Sequence, residues 1–517
     1  MGAVTGNPAS FASWRERAAW FLILCLALIL SRRLLAPRYL ITFDEINFAL
    51  AVEHFDPRLA QPQPPGDPLF VELLKGLSRV TPRMETAFLA AALATSIASL
   101  AMVWAITALA AGPRHGLIGA LLLLFNPAFW LGALTNPVRL CLAAGSAGVA
   151  FCVWMACRGN ASRWVPIAAA VLGLSAGARP VLAVLLAPLV LWAAWRTRAG
   201  WRTTGFAALC FTMAVCTWLP VLVRASGGWQ SFLYMLTGYS GEQFGDSSLL
   251  FGASFAGALR MAWKAVVWSC LGVLSWIWAV PFARRKGPIG FTGFTGVFLS
   301  LWFFPGLLFY ALVHVGDPDH TLAIVPATCV VGAVTLAAFT RQLSSAKRVS
   351  AIVFCVLLNV FLFFKPISKT AKASTYPPVR WMDGYVADVI DGVHTLPGRR
   401  PFTAIFEEQT TGWRQLSYYD RHVRILVVSR GADGAIQTRN ILGSEVVTGS
   451  IRDGIVRLPG CGTLAWVDPN TAPVSSGETL TPWAHARMFS SPVKPGDEFE
   501  FRGMRFVAGE TTCDGRP

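Results

Sequence analysis

Charge is scarce in this chain. Only 14% of its 517 residues are Asp, Glu, Lys or Arg, where a soluble protein carries about 25%. That shortage excludes an ordinary soluble globular protein. Familiar motifs are missing too. No Walker, Rossmann, zinc-finger or serine-hydrolase pattern stands in a convincing context. The 11 cysteines include no CxxC pair, so cysteine spacing gives no metal site. There is no internal repeat and no low-complexity tract. No small-residue cleavage site follows "AAWFLILCLALIL", so the first apolar segment is not a cleaved signal peptide.

Apolar length is abundant. The chain is 54% hydrophobic, with 20 Trp and 34 Phe. Hydropathy predicts about eleven membrane spans. They lie near 18–36, 86–111, 116–134, 137–157, 164–178, 180–195, 204–223, 259–282, 292–313, 320–340 and 349–365. The short fifth and sixth suit a helical pair meeting at a re-entrant corner. The fold class is therefore mainly α, a polytopic helical membrane protein. The domains expected are a transmembrane module, 1–365, with a first extracytoplasmic loop at about 37–85, and a polar C-terminal domain, 366–517.

The net charge of +16 is mostly a topology signal rather than a nucleic-acid footprint. Alternate loops carry Arg15 and Arg17, Arg114, Arg158 and Arg163, Arg196 to Arg202, Arg284 to Lys286, and Arg341 to Arg348. With those loops cytoplasmic, the N-terminus is inside and the C-terminal domain is extracytoplasmic, as in a cell's inner membrane. In that domain "FTAIFEE", "RILVVS", "GTLAWVDP" and "DEFEFRGMRFVAG" read as strands, and "VRWMDGYVADVIDGV" as a helix. It is a small α/β or α+β domain. Its Cys461 and Cys513 are either a disulfide or two buried thiols.

One stretch stands apart: "FDEINFALAVEHFDPRLAQPQPPGDPLF", residues 43–70. It collects Asp44, Glu45, Glu53, Asp56 and Asp67 just after the first span. "INFALAVEHF" has helical spacing and suits an interfacial helix. The prolines hold the next part extended, leading to a second helix, "LFVELLKGLSRV". Asp44 and Glu45 either cap the first helix or serve chemistry.

This loop, with the span count and topology, resembles the first extracytoplasmic loop of the GT-C glycosyltransferases. The resemblance is to the bacterial branch related to protein O-mannosyltransferases and lipid A aminoarabinose transferases, and it covers the membrane half. It implies transfer of a sugar from a polyprenyl-phosphate donor to an acceptor hydroxyl on a glycan, lipid or protein, with inversion. The pair's Asp, here Asp44, would be the general base. Glu45 would orient it or bind sugar. Related loops often have an aromatic residue where this chain has Asp67.

The leaving phosphate needs cationic stabilisation as charge develops. Arg179, in "GLSAGARPVL", is either a phosphate ligand or a snorkelling arginine. Arg32 and Arg33 break the topology rule beside Asp44, as phosphate ligands or lipid-headgroup anchors. Arg139 is a further cation. "HVGDPDH" brings His314, Asp317, Asp319 and His320 to the same face. It is a divalent-metal cluster, a polar turn, or a sugar- or acceptor-binding loop, and the last is preferred, with no metal expected as a cofactor. Glu53 and His54 are candidate substrate contacts. Two other classes remain: a flippase for lipid-linked sugars and a non-catalytic membrane scaffold.

Overall fold

The structure is a computed structural model. It describes residues 14–245, 247–285, 293–395, 402–407, 412–430, 436–438, 455–458, 460–469, 481–482, 484–501 and 504–509. Contacts divide the chain into two units. One is Met1–Ala36 with Asp67–Pro378, and the other is Pro37–Gly66 with Val379–Pro517. This division by contacts differs from the expected one at 365/366 in two ways. The helical unit keeps the chain to Pro378, because Tyr376 packs on Phe363 and Phe364, and the indole N–H of Trp268 donates to the Thr370 carbonyl. The first extracytoplasmic loop gives residues 37–66 to the C-terminal unit.

In chain order the helices are α1 (Trp14–Leu35), α2 (Phe43–Glu53), α3 (Pro68–Ser78), α4 (Met84–Ala111), α5 (Pro113–Leu124), α6 (Pro127–Thr135), α7 (Leu140–Arg158), α8 (Trp164–Ala178), α9 (Val181–Arg196), α10 (Trp201–Cys216), α11 (Leu219–Ala225), α12 (Trp229–Phe244), α13 (Phe255–Cys270), α14 (Ala279–Arg285), α15 (Phe294–Leu312), α16 (Val325–Thr340), α17 (Ser345–Phe364), α18 (Lys369–Lys372), α19 (Tyr376–Thr395) and α20 (Trp413–Tyr419).

The expected spans fall on helical segments, and those near 116–134, 204–223 and 259–282 are each divided between two helices. Among the described residues, 7 helical stretches are long and apolar enough to cross a membrane alone, or 8 if the pair α5 and α6, bent by 55°, is one span. Helices α8, α9 and α16 have 15, 16 and 16 residues. At 1.5 Å per residue they fall short of a hydrocarbon core about 30 Å thick. The segment expected from residue 320 starts later, because Pro318 opens a 3-10 turn that runs to Ala323.

The bend between α5 and α6 has a visible cause. Pro127 has no N–H to continue α5. The Asn126 side chain accepts from the Ala128 and Phe129 N–H groups and starts α6 afresh. The Leu124 carbonyl takes a hydrogen bond of 2.7 Å from Arg32 Nη2. A buried arginine of α1 thus closes the break in a neighbouring helix.

The C-terminal unit holds a mixed six-stranded sheet. In chain order its described strands are β1 (Phe402–Glu407), β2 (Arg424–Arg430), β3 (Ile436–Thr438), β4 (Ile455–Leu458), β5 (Gly462–Pro469), β6 (Thr481–Pro482), β7 (Ala486–Val493), β8 (Glu498–Phe501) and β9 (Met504–Ala508). The six-stranded order is β3-β2-β1-β5-β7-β6, and β4-β9-β8 form a second sheet. β1 pairs parallel with both β2 and β5. Its residues are buried on both faces, which accounts for its unbroken apolar run. Cys461 is disulfide-bonded; Cys513 lies outside the described residues.

Candidate functional site

In the C-terminal unit, α2 begins with a capping box. The Thr42 side chain accepts from the Glu45 N–H, and the Glu45 carboxylate accepts from the Thr42 N–H. Glu45 Oε2 also takes the Ile41 N–H at 3.0 Å and the Thr42 hydroxyl at 3.1 Å. Glu45 is thus buried and spent on building the helix start, and the residue that caps is Thr42. Burial pushes its carboxyl up to about 8, against the hydrogen bonds from Thr42 and Ile41. A neutral Glu45 adds no second negative charge beside Asp44.

A stability prediction follows. A carboxyl raised above its ordinary value of 4.5 stabilises the fold fully below that value. That contribution is lost as pH rises through about 8. Thermal unfolding in detergent should show wild type losing its advantage over Glu45→Gln between pH 5 and 9. A difference that stays constant with pH would contradict a proton held at Glu45.

Asp44 stands one position earlier, half-buried, on the first turn of α2. Its Oδ1 accepts from Gln63 Nε2. Gln63 lies in "QPQPPG", where the Gln61–Pro62 and Pro64–Pro65 peptides are cis. Asn47 Nδ2 donates to Gln63 Oε1 at 3.0 Å, and Arg414 Nε donates to Asn47 Oδ1 at 3.0 Å. Asn47, Gln63 and Arg414 were not predicted from sequence. Asn47 carried one signal, since position i+3 shares a helix face with Asp44. Glu53 pairs with Arg421 at 2.6 Å, both about half exposed. His54 is exposed and ends α2. Asp56 is held below the usual carboxylate range by Arg58.

The helical unit holds the other candidates. Arg179 follows α8, and its Nη1 lies 2.7 Å from Asp67 Oδ2. Asp67 is the N-cap residue of α3, with φ +40 and Pro68 behind it. Its side chain is 2% exposed, against 14% for Arg179. The pair joins an anion at a helix N-terminus to a cation at a helix C-terminus, the favourable sense at both ends. α3 can approach α8 this closely because Gly177 has no Cβ. One there would lie 2.7 Å from Leu69 Cδ1 and 2.5 Å from Trp218 Cδ1. Asp67, which stands where an aromatic residue was expected, is thus the ion-pair partner of Arg179.

Arg32 is fully buried. Besides Leu124 it donates to Ser31 Oγ at 3.1 Å, and its guanidinium lies 4.8 Å from the Trp130 ring centroid. Its place is inside the helix packing, whereas it was expected as a phosphate ligand or a lipid-headgroup anchor. Arg33 is exposed.

Arg139 is buried, and its Nε lies 4.0 Å from Asp319 Oδ1. "HVGDPDH" folds around that pair. His320 Nδ1 accepts the Asp317 N–H at 2.8 Å. Burial, then Arg139, pushes His314 down to about 4 and His320 well below its ordinary range. Ligand atoms of Asp317, Asp319 and His320 lie within 4.8 Å of one another. They could hold a cation, but Arg139 already places positive charge against Asp319. The cluster is better suited to hydrogen bonding a polar group.

A cavity of about 380 Å³ lies among α13, α15 and α16, lined by Cys270, Trp276, Leu299, Phe303 and Val331 among others. It is apolar and offers no proton or phosphate chemistry, but it suits hydrocarbon.

Residues 56–204 match the family model described as the N-terminal domain of the protein O-mannosyl-transferase TMEM260. The match starts after Asp44 and Glu45. Among solved structures, the chain is similar to ArnT from Cupriavidus metallidurans bound to undecaprenyl phosphate. The TM-score is 0.56 at 12% identity, over 80% of this chain and 86% of that one. It is similar to the apo state of the same protein with a TM-score of 0.52, at 12% identity and over the same shares. No curated protein sequence matches the chain. The fold of the chain is similar to that of ArnT.

Proposed function

We propose that this chain is a membrane glycosyltransferase. It takes a sugar from a polyprenyl-phosphate carrier and transfers it to an acceptor hydroxyl on the extracytoplasmic face. The observation that carries the reading is the fold shared with ArnT, whose matched structure holds undecaprenyl phosphate. The match of residues 56–204 to an O-mannosyl-transferase family supports it.

The acceptor oxygen attacks the anomeric carbon as the bond from that carbon to the phosphate oxygen breaks. The acceptor proton passes to the Asp44 carboxylate. The carrier phosphate leaves with the bonding electrons, and Arg179 balances its growing charge. A single displacement inverts the anomeric configuration. Arg139 with "HVGDPDH" contacts donor or acceptor hydroxyls. The apolar cavity takes part of the carrier's hydrocarbon. A flippase would call for paired broken helices. Among the described residues one bent pair is found, and its open carbonyl is closed by Arg32. The experiment is consumption of carrier-bound sugar by the purified protein in liposomes.

The same reading has the N-terminus cytoplasmic, in an inner membrane. Gly200 and Gly238 both have open space where a Cβ would be added. In a background without other accessible thiols, Gly238→Cys should react with an impermeant thiol reagent applied to intact cells. Gly200→Cys should react only after permeabilisation. The opposite labelling would place the chemistry on the cytoplasmic side.

A further inference from the structure

Four side chains of the C-terminal unit form one directed line. Arg414 Nε donates to Asn47 Oδ1, Asn47 Nδ2 to Gln63 Oε1, and Gln63 Nε2 to Asp44 Oδ1. Each amide accepts with its carbonyl and donates with its NH2. Every dipole therefore points from a guanidinium to a carboxylate, and aligned hydrogen bonds of this kind strengthen one another. Neither amide can lose or gain a proton near neutral pH, so the line transmits orientation and not charge.

Arg414 is built into this place. It is 2% exposed. Its guanidinium lies 5.7 Å from the Phe43 ring centroid and 5.7 Å from that of Trp413. The same helix, α20, holds the entry to α2 at two other points. Gln415 Nε2 donates to the Ile41 carbonyl at 2.8 Å, and the Leu40 N–H donates to the Tyr419 hydroxyl at 2.7 Å. Arg414 Nη2 is buried and has no hydrogen-bond partner among the described residues. A buried cation held in this way is costly. Burial pulls it down only to about 10, so it stays charged.

We propose that Arg414, acting through Asn47 and Gln63, positions the Asp44 carboxylate, so that the C-terminal domain supplies part of the transfer machinery. This rests on Asp44 being the base. Arg414, Asn47 and Gln63 are positioning residues: they hold one carboxylate oxygen so that the carboxylate meets the acceptor hydroxyl in a fixed orientation. A pinned base matters because a misplacement of about 1 Å costs about a hundredfold in rate.

The test uses the full-length protein in liposomes with the undecaprenyl-phosphate sugar that wild type consumes fastest. Gln63→Met fills the space and removes both of its hydrogen bonds. It should lower kcat about ten- to a hundredfold and leave the donor KM unchanged. Arg414→Lys should fall less than Arg414→Met. The Gln63→Met/Arg414→Met double variant should be no slower than the worse single, because the line acts as one unit. Asp383→Ala removes the hydrogen bonds from Arg38 and Tyr39 in the same unit and should keep wild-type kcat. Two results would overturn the inference: wild-type kcat in Gln63→Met, or losses in the two single variants that simply multiply in the double. An active Asp44→Asn would instead sink the base assignment itself.

Discussion

Asp44→Asn is expected to lower sugar transfer about a hundred- to ten-thousand-fold, the usual cost of losing a general base. The asparagine keeps the size of the side chain, and its carbonyl can still accept from Gln63. What it cannot do is take the acceptor's proton. Donor affinity should change much less, because the carboxylate serves the acceptor and not the phosphate. Glu45→Gln should lose less than Asp44→Asn, since Glu45 is occupied by the capping box with Thr42. The check is transfer rate alongside donor affinity measured separately. A folded Asp44→Asn protein that binds donor and transfers at nearly the wild-type rate would move the base elsewhere, to Glu53 or Asp317 among the exposed carboxylates.

Arg179→Ala is expected to be damaging twice over. It removes the proposed phosphate ligand, and it strips its ion-pair partner from Asp67, whose side chain is 2% exposed. Breaking a buried pair from one side costs about 3–5 kcal/mol. Loss of activity in this single variant would therefore not separate the two roles. The double variant Arg179→Met/Asp67→Asn does, because it removes both charges together. Its thermal stability should return close to wild type, while donor affinity stays at least tenfold weaker. Wild-type donor binding in that double variant would leave Arg179 as a structural partner of Asp67 and no more. Arg179→Lys should recover part of donor binding, since a point charge replaces a bidentate fork.

The legible parts of this sequence were the local ones. Apolar runs located the helices of the membrane half, of which 7 or 8 stretches among the described residues are long enough to span, whereas the cap expected from Asp44 and Glu45 is built by Thr42 with Glu45. The buried strands β1, β2 and β5 announced themselves by unbroken apolar runs. α20 did not, because its 7 residues are too few for a periodic pattern to declare itself. β7 was missed for another reason: it carries two serines and a proline, which break its apolar run, and it lies between β5 and the edge strand β6. The long-range polar contacts were invisible. Asp67 drew notice only as a departure from the family pattern, and its partner lies 112 positions away. Arg414 lies 367 positions from Asn47. No single-sequence rule pairs residues across such distances, and the line to Asp44 exists only once the fold has brought its members together. Arg32 shows the converse. It was singled out as a misfit to the topology rule, and the structure sets it on the open Leu124 carbonyl of a neighbouring helix.

The most direct measurement uses purified protein in liposomes. It is supplied with a set of undecaprenyl-phosphate sugars radiolabelled in the sugar, and with a membrane extract from cells lacking the protein as acceptor. Sugar and carrier are separated and counted over time, with leaflet position followed in parallel. The account predicts that label from at least one donor leaves the carrier, undecaprenyl phosphate accumulates in equal amount, and the label appears on an acceptor with inverted configuration. Label that crosses the bilayer while still joined to its carrier, or that stays where it began for every donor, would contradict it.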